Sequence, residues 1–206
     1  MKGYLTMIVS RKHQFIFLGI NKTGTTSVEK ALDTYKNRYF QKYLRIKHNI
    51  INKGKPAFKH NPALNAKKLV GDRVWNKYFS FTFVRNPWAR TLSEYSKHRH
   101  NSELSLKDGF TEWVLAGGNW LAKENTMKSF VSDNSNNIIV DYIGKLENIE
   151  SDLTKICEKI GIDPITLPHS NTTSNKQPYQ EIYTDETRKI VTEWVAEDAE
   201  MFGYEF

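Results

Sequence analysis

The stretch Phe15-Ile-Phe-Leu-Gly-Ile-Asn-Lys-Thr-Gly-Thr-Thr-Ser27 constrains the fold of this chain more than any other. Phe15 to Leu18 form a short apolar run without alternation, the pattern of a parallel strand covered on both faces. From Val28 the period becomes helical, with Val28, Ala31, Leu32 and Tyr35 at i, i+3, i+4 and i+7. Between the two lie Lys22, Gly24 and the hydroxyls of Thr23, Thr25, Thr26 and Ser27. Gly24 lets the backbone turn with no side chain in the way. The unpaired N–H groups of the helix start then face outward with the positive end of the helix dipole behind them, so the turn is expected to bind an anion.

Spelling narrows the kind of anion. Gly19 and Gly24 have the separation of the glycines in a nucleotide triphosphatase P-loop, but Thr25 fills the position where such a loop carries lysine, and the only lysine stands earlier, at Lys22. The run Lys22-Thr-Gly-Thr-Thr-Ser27 resembles the 5'-phosphosulfate loop of the sulfotransferases, whose donor is 3'-phosphoadenosine 5'-phosphosulfate (PAPS).

A second junction has the same form. Phe79, Phe81 and Phe83 alternate with Ser80 and Thr82, which predicts a strand over Tyr78 to Val84. It stops at Arg85-Asn86-Pro87, where Asn86 can cap and Pro87 can open a helix to about His100. On that helix Trp88, Leu92 and Tyr95 share one face. Arg90, Ser93 and Lys97 fall nearly opposite, a face expected to offer two cations and a hydroxyl. Arg85 at the carboxyl end of the strand and Ser93 on the helix can converge on one anion. Arginine at a strand end, proline, and a serine eight residues after the arginine resemble the 3'-phosphate motif of the same family.

The remaining chain supports an α/β reading. Residues 37–59, rich in Lys, Arg and Tyr with Gly54 and Pro56, read as an irregular connection and a substrate-facing region. Asn61 as cap, Pro62 in the first turn and Gly71 beyond the end frame a helix from Pro62 to Val70, with His60 just outside it. Phe110, Trp113 and Val114 mark a helix ended by Gly117-Gly118 and read as core aromatics. Ile138 to Ile143 reads as a strand; Ile149, Leu153, Ile156, Cys157 and Ile160 form a helical stripe stopped by Gly161. Lys145-Leu-Glu-Asn148 between them resembles a third family block, with Glu147 in a structural role. A last helix is expected from Asp185 to about Met201, with Ile190, Val191, Trp194 and Val195 as its buried stripe. The closing Asp198-Ala-Glu-Met-Phe-Gly-Tyr-Glu-Phe206 resembles the carbohydrate and bacterial branch of the family.

The resemblance runs from Phe15 to Phe206 and is weakest over residues 37–78 and 96–137. It implies a single sulfotransferase domain over residues 1–206, α/β, with a central, mainly parallel sheet flanked by helices in the P-loop-NTPase-like sulfotransferase fold. It also implies sulfuryl transfer from PAPS to an acceptor hydroxyl, with a carbohydrate as acceptor. The implied donor-binding residues are Asn21, Lys22, Thr23, Gly24, Thr25, Thr26, Ser27, Arg85 and Ser93, with Lys176 adding a phosphate contact. Lys22 would act on the leaving group, and Thr25 and Thr26 could add hydroxyl donors. His60 is the implied general base, His48 its alternative, and a carboxylate fills that role in some relatives. No metal is required, since Lys and Arg supply the countercharge.

Bulk properties agree. A chain of 206 residues with net charge +7 suits one domain that prefers acidic ligands. No apolar run approaches the roughly 20 residues of a membrane helix. Met1 to Arg11 lacks the apolar core of a secretory signal, and the single cysteine, Cys157, excludes an intramolecular disulfide. Of two Asn-x-Thr sequons, the one at Asn21 lies in the anion loop, where a glycan would block binding. Cytoplasmic residence in a bacterium is therefore expected, with a Golgi lumen only if an anchor has been removed. Two rivals remain. A magnesium-dependent P-loop kinase or triphosphatase would use Asp141 at the end of Ile138-Ile-Val-Asp141. A non-enzymatic polyanion-binding module would need exposed aromatics among cations, a pattern found only at Tyr39, Tyr43 and Arg45, and nucleic acid is not an expected partner.

Overall fold

Two short apolar runs open the fold as a hairpin. Strand β1 (Met7–Ser10) pairs antiparallel with β2 (Phe15–Leu18), Met7 opposite Leu18 and Ser10 opposite Phe15. This computed structural model describes residues 6–51, 61–99, 103–119, 125–167 and 177–206. Its architecture is α/β, with a four-stranded, mostly parallel sheet in the order β1-β2-β3-β4 and flanking helices. The chain divides into two compact units, Met1–Val84 with Ser129–Ser170, and Arg85–Lys128 with Asn171–Phe206.

The first unit contains the sheet. Strand β3 (Phe79–Val84) runs parallel to β2, and β4 (Tyr142–Lys145) runs parallel to β3. Every residue of β2 is buried, as its unbroken apolar run requires. Phe79, Phe81 and Phe83 point to one face, where they meet Val28 and Leu32 of α1 (Thr25–Leu32) and Leu153, Ile156 and Cys157 of α8 (Ile149–Ile160). Ser80, Thr82 and Val84, on the opposite face, are buried as well, and the Thr82 hydroxyl donates to the Leu18 carbonyl at 2.6 Å. Asp152 of α8 fastens β4. It accepts from the Lys145 N–H at 2.8 Å and the Tyr142 hydroxyl at 2.9 Å, with Lys155 at 3.1 Å. Burial and this carboxylate push the Tyr142 hydroxyl up to about 12.

Three expectations change here. Residues 38–51 are not irregular but form helix α2 (Arg38–Ile51), which turns Leu44 and His48 inward. Its apolar residues spread over one broad arc broken by Lys47, and of them only Leu44 is buried, so most of the arc is not a packed stripe. The apolar run from Ile138 pairs only in part: β4 begins at Tyr142, and Ile138 makes an isolated bridge to Ser132 while staying 49% exposed. The helix before Gly71, α3 (Ala63–Val70), is capped at Pro62 rather than Asn61. After it, α4 (Asp72–Trp75) leads into β3.

The second unit is helical: α5 (Pro87–His98), α6 (Leu106–Leu115), the start of α7 (Met127–Val131), α9 (Tyr179–Ile182) and α10 (Asp185–Phe202). Trp88, Tyr95, Phe110, Val114, Val191 and Val195 form its core, so the aromatics of α6 do pack inward. Thr184 and Thr187 close a reciprocal capping box at the start of α10. Arg90 corrects the expected cationic face of α5, because it is buried. Its guanidinium donates to the Asn125 carbonyl at 2.8 Å and lies 3.9 Å from Asp198. Asp198 in turn accepts the Met127 and Lys128 N–H groups at 2.9 and 2.8 Å.

Removing one partner of a buried ion pair leaves the other charge uncompensated. Asp198→Ala is therefore expected to lower the unfolding free energy by about 3–5 kcal/mol, read from urea denaturation. A loss below about 1 kcal/mol would show that Arg90 finds other partners.

Candidate active site

The parallel strands end together, so the segments that leave β2 and β4 share the carboxyl edge of the sheet. Between Leu18 and Thr25 the backbone turns sharply. Lys22 and Gly24 both take left-handed φ, 67° and 77°. Gly24 does so without a steric penalty; Lys22 does not, and a non-glycine residue held in that region stores strain of order 1–3 kcal/mol. Ile20 anchors the turn, its carbonyl accepting the Thr23 hydroxyl at 3.1 Å and the Thr25 hydroxyl at 2.5 Å. The expectation that Thr25 offers a hydroxyl donor to a ligand changes accordingly, since its proton is committed to Ile20. Thr26 is the exposed hydroxyl of the loop, Ser27 and Lys22 are half-buried, and Asn21 and Thr23 are buried.

Helix α1 begins at Thr25 with Gly24 as a cap that supplies no side chain. The first amides of a helix have no intrahelical acceptor, so the main chain at Thr25 and Thr26 presents N–H donors backed by the helix dipole. Two glycines make room for this shape. A Cβ at Gly19 would lie 2.3 Å from Thr25 Cγ2, and one at Gly24 would lie 2.6 Å from Cδ1 of Leu146, just beyond β4. Gly19 is also held by Thr6, its N–H donating to the Thr6 carbonyl at 2.8 Å. Thr6 belongs to none of the motifs, and Leu146, although within the Lys145–Asn148 block, gives no sign in the sequence that it meets Gly24.

Beside Thr26 opens a cleft of about 750 Å³ whose walls include Lys30, Lys36, Arg38, Lys42 and Arg45. Lys36 and Arg38 pair with Asp33, while Lys30, Lys42 and Arg45 take part in no ion pair among the described residues. Two of these three cations lie on α2, in the region expected to face substrate.

His48 is buried on the inner side of α2 and hydrogen-bonds Asn61. Burial lowers its pKa below 6.5, against the raising effect of Asn61. His60 and Lys176 lie outside the described residues. Asp141 lies at the other end of the sheet from the anion loop: its carboxylate accepts from the Ser80 N–H at 2.7 Å and hydroxyl at 2.8 Å, beside the start of β3. A P-loop enzyme needs its metal-holding Asp at the carboxyl edge.

In the second unit Arg85 follows β3 in the chain and is half-buried, its N–H directed at the Met127 sulfur at 3.5 Å. Asn86 caps α5 as expected, accepting from the Trp88 and Ala89 N–H groups, both at 3.1 Å. Its amide also donates to the Glu205 carbonyl at 2.9 Å, and Phe206 packs edge-on to Trp88, Tyr179 and Tyr183. The chain end thus braces the junction that carries Arg85. Ser93, two turns along α5, is half-buried.

Comparison with known proteins adds two findings. A model described as the sulfotransferase family matches residues 5–205. A protein of Archaeoglobus fulgidus described as uncharacterized is 32% identical over 105 residues, 49% of this chain and 82% of that protein.

Two expected outcomes follow from the loop and its surroundings. Gly24→Ala should cost more stability than Gly161→Ala, which has a similar left-handed backbone but open space around its Cβ; about 1–2 kcal/mol is the penalty common to both. Equal urea midpoints would show that Leu146 yields freely. Because the folded state resists protonating His48, its contribution is complete above 6.5 and lost as pH falls below that value. The urea midpoint should drop between pH 7 and 5, and His48→Gln should flatten that drop.

Proposed function

Since this chain belongs to the sulfotransferase family, we propose that it transfers a sulfuryl group from PAPS to the hydroxyl of a carbohydrate acceptor. The observation that carries the reading is the loop after β2. Its two left-handed residues and its helix start without a side-chain cap leave main-chain donors that suit an anion, and Thr25 in place of the P-loop lysine departs from a triphosphate site.

In the proposed step the acceptor oxygen attacks sulfur in line. The bond from sulfur to the bridging oxygen breaks, and adenosine 3',5'-bisphosphate leaves with the electron pair. Negative charge grows on that bridging oxygen, so donors near it stabilise the transition state more than the ground state. Lys22 and the amides of Gly24, Thr25 and Thr26 take this role, the Ser27 N–H being held by the Gly24 carbonyl at 3.0 Å, with Thr26 as the available threonine hydroxyl. Thr25 contributes its N–H and, through Ile20, the shape of the turn. Arg85 and Ser93 take the 3'-phosphate, a group that ATP lacks. The acceptor proton passes to a base, for which His60 is proposed because imidazole titrates near neutrality. His48, buried against Asn61, is a weaker candidate. The cations of the cleft beside Thr26 suit a polar or anionic glycan. The position of Asp141 beside the start of β3 weighs against the magnesium-dependent rival.

The test is turnover. With labelled PAPS and a panel of glycan acceptors, label should transfer in the presence of EDTA. Hydrolysis of ATP that needs magnesium, with no transfer from PAPS, would overturn the reading. A charge-assisted hydrogen bond contributes roughly 1.5–3 kcal/mol, so Arg85→Ala should weaken binding of adenosine 3',5'-bisphosphate by about ten- to over a hundredfold in calorimetry.

A further inference from the structure

Five of the seven large apolar side chains most exposed among the described residues lie on one helix. Tyr39 is 91% exposed, Ile50 72%, and Tyr43, Ile46 and Ile51 about half, all on α2. Scattered exposed apolar residues are normal; a continuous row of them marks a surface with an occupant. Tyr39, Tyr43, Ile46 and Ile50 stand at i, i+4, i+7 and i+11, within about 60° of one another around the axis at about 100° per residue. Leu44 and His48, the buried residues of the helix, point the other way. The ridge is therefore an outward face on a helix anchored from behind. The Asn37 N–H donates to the Val9 carbonyl at 3.0 Å just before α2, and Lys47 donates to the Leu69 carbonyl at 2.7 Å.

Charge identifies the occupant. Arg38, Lys42 and Arg45 run along one flank of the ridge, and α2 holds no Asp or Glu. A second copy of the helix laid against the first would bring the two basic flanks to one seam with no carboxylate on either to pair them. An anionic bilayer surface supplies what both features need: acyl and glycerol groups for the tyrosines and isoleucines, and lipid phosphates for the cations. At about 21 Å and with no helix of the described residues long and apolar enough to span, α2 is suited to lie in the interface rather than cross it.

We propose that α2 docks this protein onto membranes rich in anionic lipid, with Tyr39, Tyr43, Ile46 and Ile50 in the interface and Arg38, Lys42 and Arg45 at headgroup level. The same three cations line the cleft beside Thr26, so docking presents that cleft to groups carried at the membrane surface. The proposal stands apart from the donor chemistry, and its test contains no nucleotide.

The experiment is flotation of the full chain with vesicles of phosphatidylcholine alone or with about a third phosphatidylglycerol, at low and high salt. Binding is expected only to the anionic vesicles and should weaken with salt. Ile46→Ser and Ile50→Ser should each reduce the partition coefficient roughly tenfold. Neutralising Arg38, Lys42 and Arg45 to Gln together should reduce it on the order of a hundredfold. Circular dichroism confirms that each variant is folded, and Ile50→Ser alone, at the most exposed isoleucine, serves if the others unfold. Absence of binding to anionic vesicles at low salt, or binding unchanged in Ile50→Ser, would overturn the proposal. So would sedimentation showing a wild-type dimer that Ile50→Ser dissociates, which would assign the ridge to a second copy.

Discussion

A strand that ends in a turn too tight for ordinary backbone governs the rest of the first unit. For α1 to start where it does, Lys22 and Gly24 must both enter the left-handed region, and Thr23 and Thr25 must spend their hydroxyl protons on the Ile20 carbonyl. The resulting main chain turns amides outward, and it is held from behind by Thr6 and from the side by Leu146. Those braces come from the residue that precedes the strand on one edge of the sheet and from the segment that follows the strand on the other. The loop is thus tied to both edges of the sheet, and a preformed set of donors has less ordering cost when a ligand arrives.

The second unit solves a different problem, how to hold the half-buried Arg85 at the segment that opens α5. Asn86 caps α5 with its side-chain oxygen and ties the chain end with its amide. Phe206 then packs among Trp88, Tyr179 and Tyr183, while the Tyr183 hydroxyl donates to the Trp88 carbonyl at 2.9 Å. Beneath this layer Arg90 and Asp198 form a buried pair whose charges are balanced by main-chain groups of Asn125, Met127 and Lys128. Of the two arginines of the segment, Arg90 is committed to this buried pair and Arg85 is half-buried at the end of β3. Helical spacing alone could not separate the roles, because Arg90 and Ser93 share a face of the helix whether or not another element covers it.

What the sequence made legible were the elements whose signal is local. The β2 run, the Asn86-Pro87 start, the Gly161 stop and the final helix all fall where capping and periodicity put them. What escaped depends on partners distant in the chain. Helix α2 turns only Leu44 and His48 inward, while its tyrosines and most of its isoleucines stay exposed, so its apolar arc does not mark a packed stripe. The residues from Ile138 to Asp141 are apolar enough for a strand, yet Asp141 is taken by Ser80 and regular pairing waits until Tyr142. In the site, the loop was visible because its glycine, lysine and hydroxyl residues are adjacent in the chain. The parts of Ile20, Thr6 and Leu146 were not, because a main-chain carbonyl has no side-chain signature and the contacts of Thr6 and Leu146 with the loop glycines span the fold.

The claim beneath all of this is that the turn from Asn21 to Ser27 grips an anion through its main chain. Amide resonances of a labelled sample, followed during titration with adenosine 3',5'-bisphosphate, test it most directly. Large saturable shifts at Gly24, Thr25 and Thr26, sharing one dissociation constant, are the expected result. Saturable binding that leaves those three amides unmoved would contradict the account.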